Sequence, residues 1–274
     1  MIKKIRIIYL ATILPVLLLS ACEKDGTPML PAIKAFNENF NISGFVIGDT
    51  IVQYFDNVKI REYYGQVRTV RTGNQLAFTT DEINMELKRK STGETIYRQT
   101  FNINDKQSIV PPFYFDGLKF NEGYAYPVPK ENEYTANFYV ESNGSSAPVD
   151  INIEVLEYYE DSTKPDPIVV VHTTTIPLAE NVQPGSWTPY LKIPVPMVIP
   201  EQDDHYLYPI VVVRDSKTKD YYISKNRDMS VISLEIPYDG VSPGKVQSIY
   251  LNRKTSIEKV TYLESFDLVQ LFPR

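Results

Sequence analysis

The residues of this chain that could support acid–base or metal chemistry are few and lie far apart. Its two histidines are His172 and His205, and Cys22 is its one cysteine. His172 follows three valines, a setting typical of a half-buried strand, where a histidine more often packs than catalyses. His205 follows Asp203 and Asp204, and together these side chains could bind a divalent cation. Because adjacent side chains on an extended chain point apart, we predict a solvated acidic loop there and no metal site.

Carboxylates recur between Glu154 and Asp161, and two carboxylates at a suitable separation could hydrolyse a glycosidic bond. On a strand Glu154 and Glu160 would share one face but lie roughly 20 Å apart, whereas retaining glycosidases need about 5 Å. We therefore predict a solvent-exposed strand face. The sequence contains no serine-nucleophile elbow, phosphate loop or zinc-protease motif. We predict a protein that is not an enzyme, with no catalytic residue, metal or cofactor.

Aromatic residues are in surplus, with 20 tyrosines, 12 phenylalanines and one tryptophan. Several tyrosines stand in adjacent pairs, namely Tyr63-Tyr64, Tyr158-Tyr159 and Tyr221-Tyr222. On a strand, one member of such a pair faces away from the core or lies at a second interface. Exposed rings can stack on sugars or anchor a protein interface, although tyrosine also suits ordinary half-buried strands. Trp187, in a Gln-Pro-Gly-Ser-Trp loop, is the best candidate ligand contact, together with Tyr190.

Strands must position these side chains, because apolar and polar residues alternate with period 2 over most of the chain after residue 32. Turn signals such as Asp56-Asn57 and the segment 91–94 separate the alternating runs. No convincing long helix interrupts them. Many short strands with regular turns predict an all-β fold built from antiparallel β-sandwiches, immunoglobulin-like or similar.

Turn and proline signals at residues 121–133 predict a domain boundary there. We predict an N-terminal β-sandwich over residues 33–126 and a C-terminal β-sandwich over residues 127–274. One continuous large sandwich is the alternative. The sequence Tyr-Phe-Asp recurs 60 residues apart, at Tyr54 and at Tyr114, and we interpret this echo as two similar hairpins rather than as a repeat architecture.

The N-terminal segment has the layout of a secretory signal. Lys3, Lys4 and Arg6 precede an apolar run over residues 7–19, which is shorter than the roughly 20 residues that a membrane-spanning helix needs. The run ends in Leu-Ser-Ala followed by Cys22, which resembles the lipobox of bacterial lipoproteins. This resemblance implies that residues 1–21 are a cleaved signal peptide. An ordinary signal peptide with a chance cysteine is the alternative.

The resemblance to lipoproteins also implies a location. Cys22 would carry acyl chains such as palmitate, and residues 22–32 would form a lipidated tether whose buried acyl chains hold the protein on a membrane. The segment 23–26, Glu-Lys-Asp-Gly, resembles the short charged signal that sends Bacteroidota lipoproteins to the cell surface. We therefore expect an outer-membrane, lipid-anchored, surface-exposed protein.

The net charge of the chain limits which partners it can bind. It is −6 for the chain and becomes −9 without the three basic residues of the signal peptide. An acidic protein is repelled by nucleic acid, so we predict no nucleic-acid partner. No cysteine remains for a disulfide, and sheet packing must stabilise the fold.

Together these features predict a lipid-anchored, non-catalytic cell-envelope protein that binds a glycan or a protein partner. A structural or assembly lipoprotein, such as a pilus or envelope-complex anchor, is an alternative and would present an edge strand or groove to a partner strand. A glycan-active enzyme is a further alternative and would show a concave pocket with convergent carboxylates.

Overall fold

The computed structural model describes residues 32–69, 75–144, 146–238 and 244–273. The predicted signal peptide and nearly all of the predicted tether, including Cys22, lie outside the described residues. Within those four ranges the structure is built from strands and contains no α-helix. None of the described residues belongs to a helix long and apolar enough to cross a membrane. The fold is all-β, as the alternation predicted.

The strands of the N-terminal part belong to one larger sheet and two small strand pairs. They are β1 (Ala35–Asn37), β2 (Phe40–Asn41), β3 (Ser43–Phe55), β4 (Val58–Arg68), β5 (Leu76–Phe78), β6 (Glu82–Arg89), β7 (Thr95–Asn102), β8 (Ser108–Ile109), β9 (Phe113–Phe115) and β10 (Phe120–Glu122). The larger sheet has the order β10-β9-β3-β6-β7, and β4 also pairs with β3; β1 pairs with β5, and β2 with β8.

The strands of the C-terminal part form two four-stranded sheets, ordered β14-β11-β17-β18 and β13-β12-β15-β16. They are β11 (Tyr134–Val140), β12 (Val149–Glu160), β13 (Ile168–Val182), β14 (Leu191–Lys192), β15 (Tyr206–Asp215), β16 (Val231–Ile232), β17 (Lys245–Thr255) and β18 (Thr261–Asp267). Two short 3-10 turns, Asp228–Ser230 and Leu268–Gln270, complete the described elements.

Strand β3 organises the N-terminal sheet because it changes neighbours along its length. Residues 44–46 pair with β9, residues 51–55 pair with β6, and β4 accompanies both parts. The change falls at Gly48, whose φ of 76° is favourable mainly for glycine. A Cβ atom there would lie 2.8 Å from the carbonyl oxygen of Asp116. Glycine therefore permits both the bend of β3 and the close approach of the loop after β9.

The predicted turn at Asp56-Asn57 joins β3 to β4 with φ values of 45° and 69°, as a two-residue type I′ turn requires. The related sequence at Asp116 forms a longer connection between β9 and β10. There Asp116 Oδ1 accepts hydrogen bonds from the backbone N–H groups of Leu118 and Lys119, at 2.8 and 2.7 Å. The two echoed segments are both hairpins, but their connections differ.

Two separate cores fill these sheets. The first takes its buried residues from positions 40–115 and the second from positions 136–263. A third cluster of buried residues combines Phe45 and Tyr114 with Tyr139 and Tyr250, so it joins the two parts of the chain. The first core ends at residue 115 and the second begins at residue 136, so the predicted boundary at residues 121–133 lies between them. The division into two domains nevertheless stays a prediction, because the third cluster makes the parts continuous.

The sheets are less uniformly antiparallel than predicted. Strand β11 runs parallel to β17, β9 runs parallel to β3, and β8 runs parallel to β2. Each pair joins strands that are distant in sequence, so no short turn forces them to run in opposite directions.

Candidate ligand-binding cavity

The aromatic surplus is concentrated where the N-terminal part meets the C-terminal sandwich. On β11, Ala136 and Phe138 face the second core, so Asn137 and Tyr139 face the opposite side of the sheet. The register with β17 places Tyr250 beside Tyr139, and the two rings stack at 5.7 Å. The sheet β14-β11-β17-β18 therefore has two packed faces. One faces the second core, and the other buries tyrosines such as Tyr139 and Tyr250.

The N-terminal part covers that face with Phe45 of β3. The Phe45 ring meets Tyr250 edge-on at 4.9 Å and stacks on Phe266 of β18 at 5.5 Å. Edge-on and stacked pairs are favourable arrangements of aromatic rings. We call the buried residues of this third cluster, together with the aromatic rings packed against them, the aromatic junction.

Trp187 lies at the edge of the aromatic junction. Residues before and after it in the chain form backbone hydrogen bonds with β11. Gly185 donates its N–H to Val140 at 2.8 Å, and Thr188 donates its N–H to the carbonyl of Phe138 at 2.9 Å. The Trp187 indole N–H donates to the Tyr114 hydroxyl at 2.8 Å, which links the C-terminal loop to β9. The tryptophan is thus half-buried, and these hydrogen bonds fix its position.

A cavity of about 670 Å³ opens beside Trp187. It is lined by side chains of the β9–β10 region on one side and by β11 and the Trp187 loop on the other: Tyr114, Asp116, Asn121, Glu122, Gly123, Tyr124, Ala125, Asn137 and Trp187. We call it the junction cavity. The Trp187 ring lies 6.1 Å from the Tyr124 ring, at an angle of 52°, so the cavity offers rings in two orientations.

Asn137 gives the junction cavity an unusual polar group. The residue is 4% exposed, and its side-chain oxygen Oδ1 has no hydrogen-bond partner among the described residues. Most buried polar atoms in folded proteins have a partner. Because this oxygen is itself closed to solvent, it is an unsatisfied acceptor behind the cavity wall, and a ligand in the cavity does not reach it.

Hydroxyl and carboxylate groups complete the lining. Burial raises the pKa of the Tyr114 hydroxyl well above its ordinary value, so this group stays neutral. Asp116 and Glu122 lie at the exposed rim. The turn that follows β9 already uses one carboxylate oxygen of Asp116. The cavity is therefore neutral and aromatic inside and negative at its edge.

The second predicted contact residue is not part of this cavity lining. Tyr190 is half-buried, and its hydroxyl lies 2.7 Å from Ser248 Oγ on β17. Sequence reasoning missed Asn137 and Tyr114. The only sequence signal for Asn137 is an amide between apolar residues on a strand, and nothing in the sequence places Tyr114 beside Trp187.

The predicted wet carboxylate face of β12 is wrong. Glu154 is fully buried, where it accepts hydrogen bonds from Arg214 Nη2 at 2.5 Å and from the Tyr221 hydroxyl at 3.1 Å. Glu157 is 2% exposed. Arg214 and Tyr221 contact Glu154, and the loop that contains Glu201 and His205 contacts Glu157. Glu154 therefore forms a salt bridge with Arg214, and Glu157 forms a hydrogen bond with His205.

His205 also departs from its prediction. Asp203 and Asp204 are exposed, as expected for a solvated loop, but the His205 side chain is only 7% exposed. Its Nδ1 lies 2.6 Å from Glu157 Oε1, and its ring stacks on Tyr159. His172 is exposed on the edge strand β13. Within the described ranges, His, Asp and Glu side chains form no group of three or more that could hold a metal ion.

Comparisons with known proteins add little to this geometry. No protein-family model matches this chain, and no curated protein matches it. Among solved structures, the chain is similar to the Bacillus anthracis TIE protein, with 7% sequence identity over 78% of this chain and a TM-score of 0.17. This chain spans about a third, 33%, of the length of that structure. A likeness at this level carries no argument about fold or function.

Proposed function

We propose that this protein is a lipid-anchored, non-catalytic cell-envelope protein that binds a glycan in the junction cavity. The observation that carries the proposal is the combination of the Trp187 and Tyr124 rings with polar side chains, Asn121 and Asn137 among them, in the lining of one concavity. Ligand sites in proteins are concave, largely apolar and provided with a few fixed polar groups. A sugar ring has apolar faces for the aromatic rings and hydroxyl groups for the polar atoms.

The shape of the site favours a glycan over a protein partner. A protein interface needs a broad patch with a buried centre, whereas the junction cavity holds about 670 Å³. A binding role also fits the rim carboxylates better than hydrolysis does, because Asp116 is committed to its own turn.

An assembly role remains the competing proposal, and strand β13 is its best support. Residues 168–176 of this edge strand carry no Asp, Glu, Lys or Arg, and long uncharged edges invite pairing with another strand. Two features interrupt that edge. A register shift leaves Val171 without a partner on β12, and Pro177 lacks a backbone donor. The edge is therefore less suited to pairing than its composition indicates.

The anchor is tested at Cys22. We expect Cys22→Ser to leave uncleaved or mislocalised precursor and to abolish incorporation of labelled fatty acid, because no other cysteine can form the thioether. The measurement is metabolic labelling followed by membrane fractionation. A Cys22→Ser protein that is still labelled and membrane-bound would contradict the anchor.

Ligand binding is tested at Trp187. We expect the full lipidated protein in detergent to bind glycans on an array and Trp187→Ala to lose that binding, because the variant removes a principal ring of the cavity. Tyr208→Ala is the matched control, since Tyr208 is 58% exposed on β15 and does not line the cavity. Circular dichroism establishes that both variants fold.

Two results would overturn glycan binding at this site. One is a folded wild-type protein that binds no glycan, which would favour the assembly role. The other is glycan binding that Trp187→Ala leaves unchanged and Tyr208→Ala removes.

A further inference from the structure

The first described strand lies close in sequence to the predicted lipid anchor, and large apolar side chains are exposed around it. Ten residues, 23–32, separate Cys22 from Ile33. Ile33 is 52% exposed, and Phe36 of β1 is 56% exposed. We propose that this surface contacts the lipid bilayer to which Cys22 is attached and that the Phe36 ring inserts among the lipids. The inference rests on the proposed lipid anchor and goes beyond it, because an anchor alone requires no contact between the folded chain and the membrane.

Strand β1 presents Phe36 to the outside of the fold. The next residue, Asn37, is buried, and its side-chain amide donates hydrogen bonds to the carbonyl oxygen of Asp105 at 2.9 Å and to Ser108 Oγ at 3.0 Å. Adjacent side chains on a strand point to opposite faces, so Phe36 points away from the interior that holds Asn37. The exposure of the ring is therefore imposed by the strand and its pairing with β5.

A third apolar side chain extends this surface. Phe36 pairs across the strands with Ala77 of β5, and Ala77 and Ile60 line the same small cleft. Ile60 is 44% exposed. A register shift between β3 and β4 leaves it without a partner on β3, as is typical of a β-bulge. We call Ile33, Phe36 and Ile60 the tether-side patch.

The length of the predicted tether keeps this patch near the bilayer. At roughly 3.5 Å per residue, ten residues span no more than about 35 Å. A linker of this length holds the groups that it joins at a high effective concentration, so a weak attraction is enough to keep the patch on the membrane. Exposed aromatic and aliphatic side chains supply such an attraction, because their transfer from water into an apolar environment is favourable.

The charges beside the patch are paired, so apolar burial is the source of the attraction. Lys34 Nζ lies 3.2 Å from a carboxylate oxygen of Asp81. Lys59 Nζ, beside Ile60 in the sequence, lies 2.6 Å from a carboxylate oxygen of Glu62. The chain as a whole is acidic, with a net charge of −6, and anionic lipid would repel it. The contact that we propose therefore needs no anionic lipid.

Quenching of tryptophan fluorescence by brominated lipid tests the contact. The full lipidated protein is reconstituted into phosphatidylcholine vesicles with or without bromine on the acyl chains, since bromine quenches tryptophan only at short range. The key variant is Phe36→Trp, which keeps a large apolar ring at this position. Met197→Trp is the matched control, because Met197 is 92% exposed and lines an apolar groove of the C-terminal part. The wild type supplies the background emission of Trp187, and circular dichroism establishes that the variants fold.

We expect brominated lipid to remove most of the emission that Phe36→Trp adds and to leave the emission of the wild type and of Met197→Trp unchanged. The quenching should persist at high salt, because salt screens charges and not apolar burial. Adding Ile60→Glu to Phe36→Trp should reduce the quenching, since a charge opposes insertion into lipid. Adding Ile257→Glu, at an exposed position in the β17–β18 connection, should not.

The outcomes separate this inference from the proposed anchor. If the protein carries labelled fatty acid and sediments with the vesicles but Phe36→Trp is not quenched, the anchor stands and the inference is wrong. Quenching of Met197→Trp in place of Phe36→Trp would show that a different surface faces the lipid. Quenching of Phe36→Trp that high salt abolishes would also overturn insertion of the ring. Protein that incorporates no fatty acid and stays free of the vesicles would overturn the proposed anchor and, with it, the inference.

Discussion

The pair formed by Glu157 and His205 shows how a single polar contact can stabilise one end of the C-terminal sandwich. Glu157 Oε1 accepts the backbone N–H of Glu201 at 2.7 Å as well as meeting His205 Nδ1. The hydrogen bond with His205 holds the pKa of Glu157 below its ordinary value of 4.5. The carboxylate form is therefore favoured in the folded state, and the loop that contains Glu201 and His205 is tied to β12.

This pair predicts a pH dependence of stability. Because the folded pKa of Glu157 is depressed, its contribution is present above the unfolded pKa and is lost as pH falls through the folded pKa. We expect His205→Gln to be less stable than wild type in urea at about pH 7, with the gap narrowing below about pH 4. A gap that stays constant or widens under acid would contradict the assignment. His172→Gln, at an exposed edge position, is the control and should change stability little.

At the scale of elements, the bend in β3 decides which strands can meet. The bend lets one strand pair with β9 at its start and with β6 at its end. It also brings Gly48 against Gly117, which has a φ of 93° and whose added Cβ would lie 2.9 Å from Gly48 Cα. The loop that supplies Asp116 to the cavity rim is thus positioned by backbone contact between two glycines.

We expect Gly48→Ala to destabilise the fold by more than the cost of placing an alanine at a positive φ. Gly93 has a similar φ of 73° in the β6–β7 hairpin, but a Cβ there meets nothing within 4 Å. Gly93→Ala should therefore show only the left-handed penalty of about 1–2 kcal/mol. Gly48→Ala adds a clash with backbone, and we expect a loss of about 3 kcal/mol or more. Urea denaturation of both variants measures the difference, and equal losses would refute the close-approach argument.

At the scale of the whole molecule, the aromatic junction couples the two parts of the chain. Glu141 Oε2 at the end of β11 accepts hydrogen bonds from Tyr64 of β4 at 2.6 Å and from Tyr250 of β17 at 3.1 Å. Burial and the neighbouring carboxylate raise the pKa of Tyr64, so the hydroxyl remains a donor. The adjacent tyrosines Tyr63 and Tyr64 illustrate the arrangement, since Tyr63 faces the first core and Tyr64 faces the junction.

Tyr64→Phe should weaken this coupling while leaving both cores intact. We expect a loss of about 1 kcal/mol, because the contact is a hydrogen bond to a charged but partly exposed group. Calorimetry measures whether the variant melts with a broader or split transition. Tyr206→Phe, whose ring is 57% exposed on β15, is the control. If Tyr64→Phe behaves like this control, Glu141 does not couple the two parts.

The sequence by itself determined the local structure of this protein. Alternation specified the strands because burial of one sheet face imposes a period of two, and Asp56-Asn57 specified its turn because few residues tolerate positive φ. It also indicated that some tyrosine rings face away from the core or lie at a second interface, since adjacent side chains on a strand point to opposite faces. Only the tertiary structure decided which groups meet. Trp187 and Tyr114 are 73 residues apart, and local patterns carry no information about strand neighbours that distant. The burial of Glu154 under Arg214 and Tyr221, and the absence of a partner for Asn137 Oδ1 among the described residues, likewise depend on contacts between distant segments.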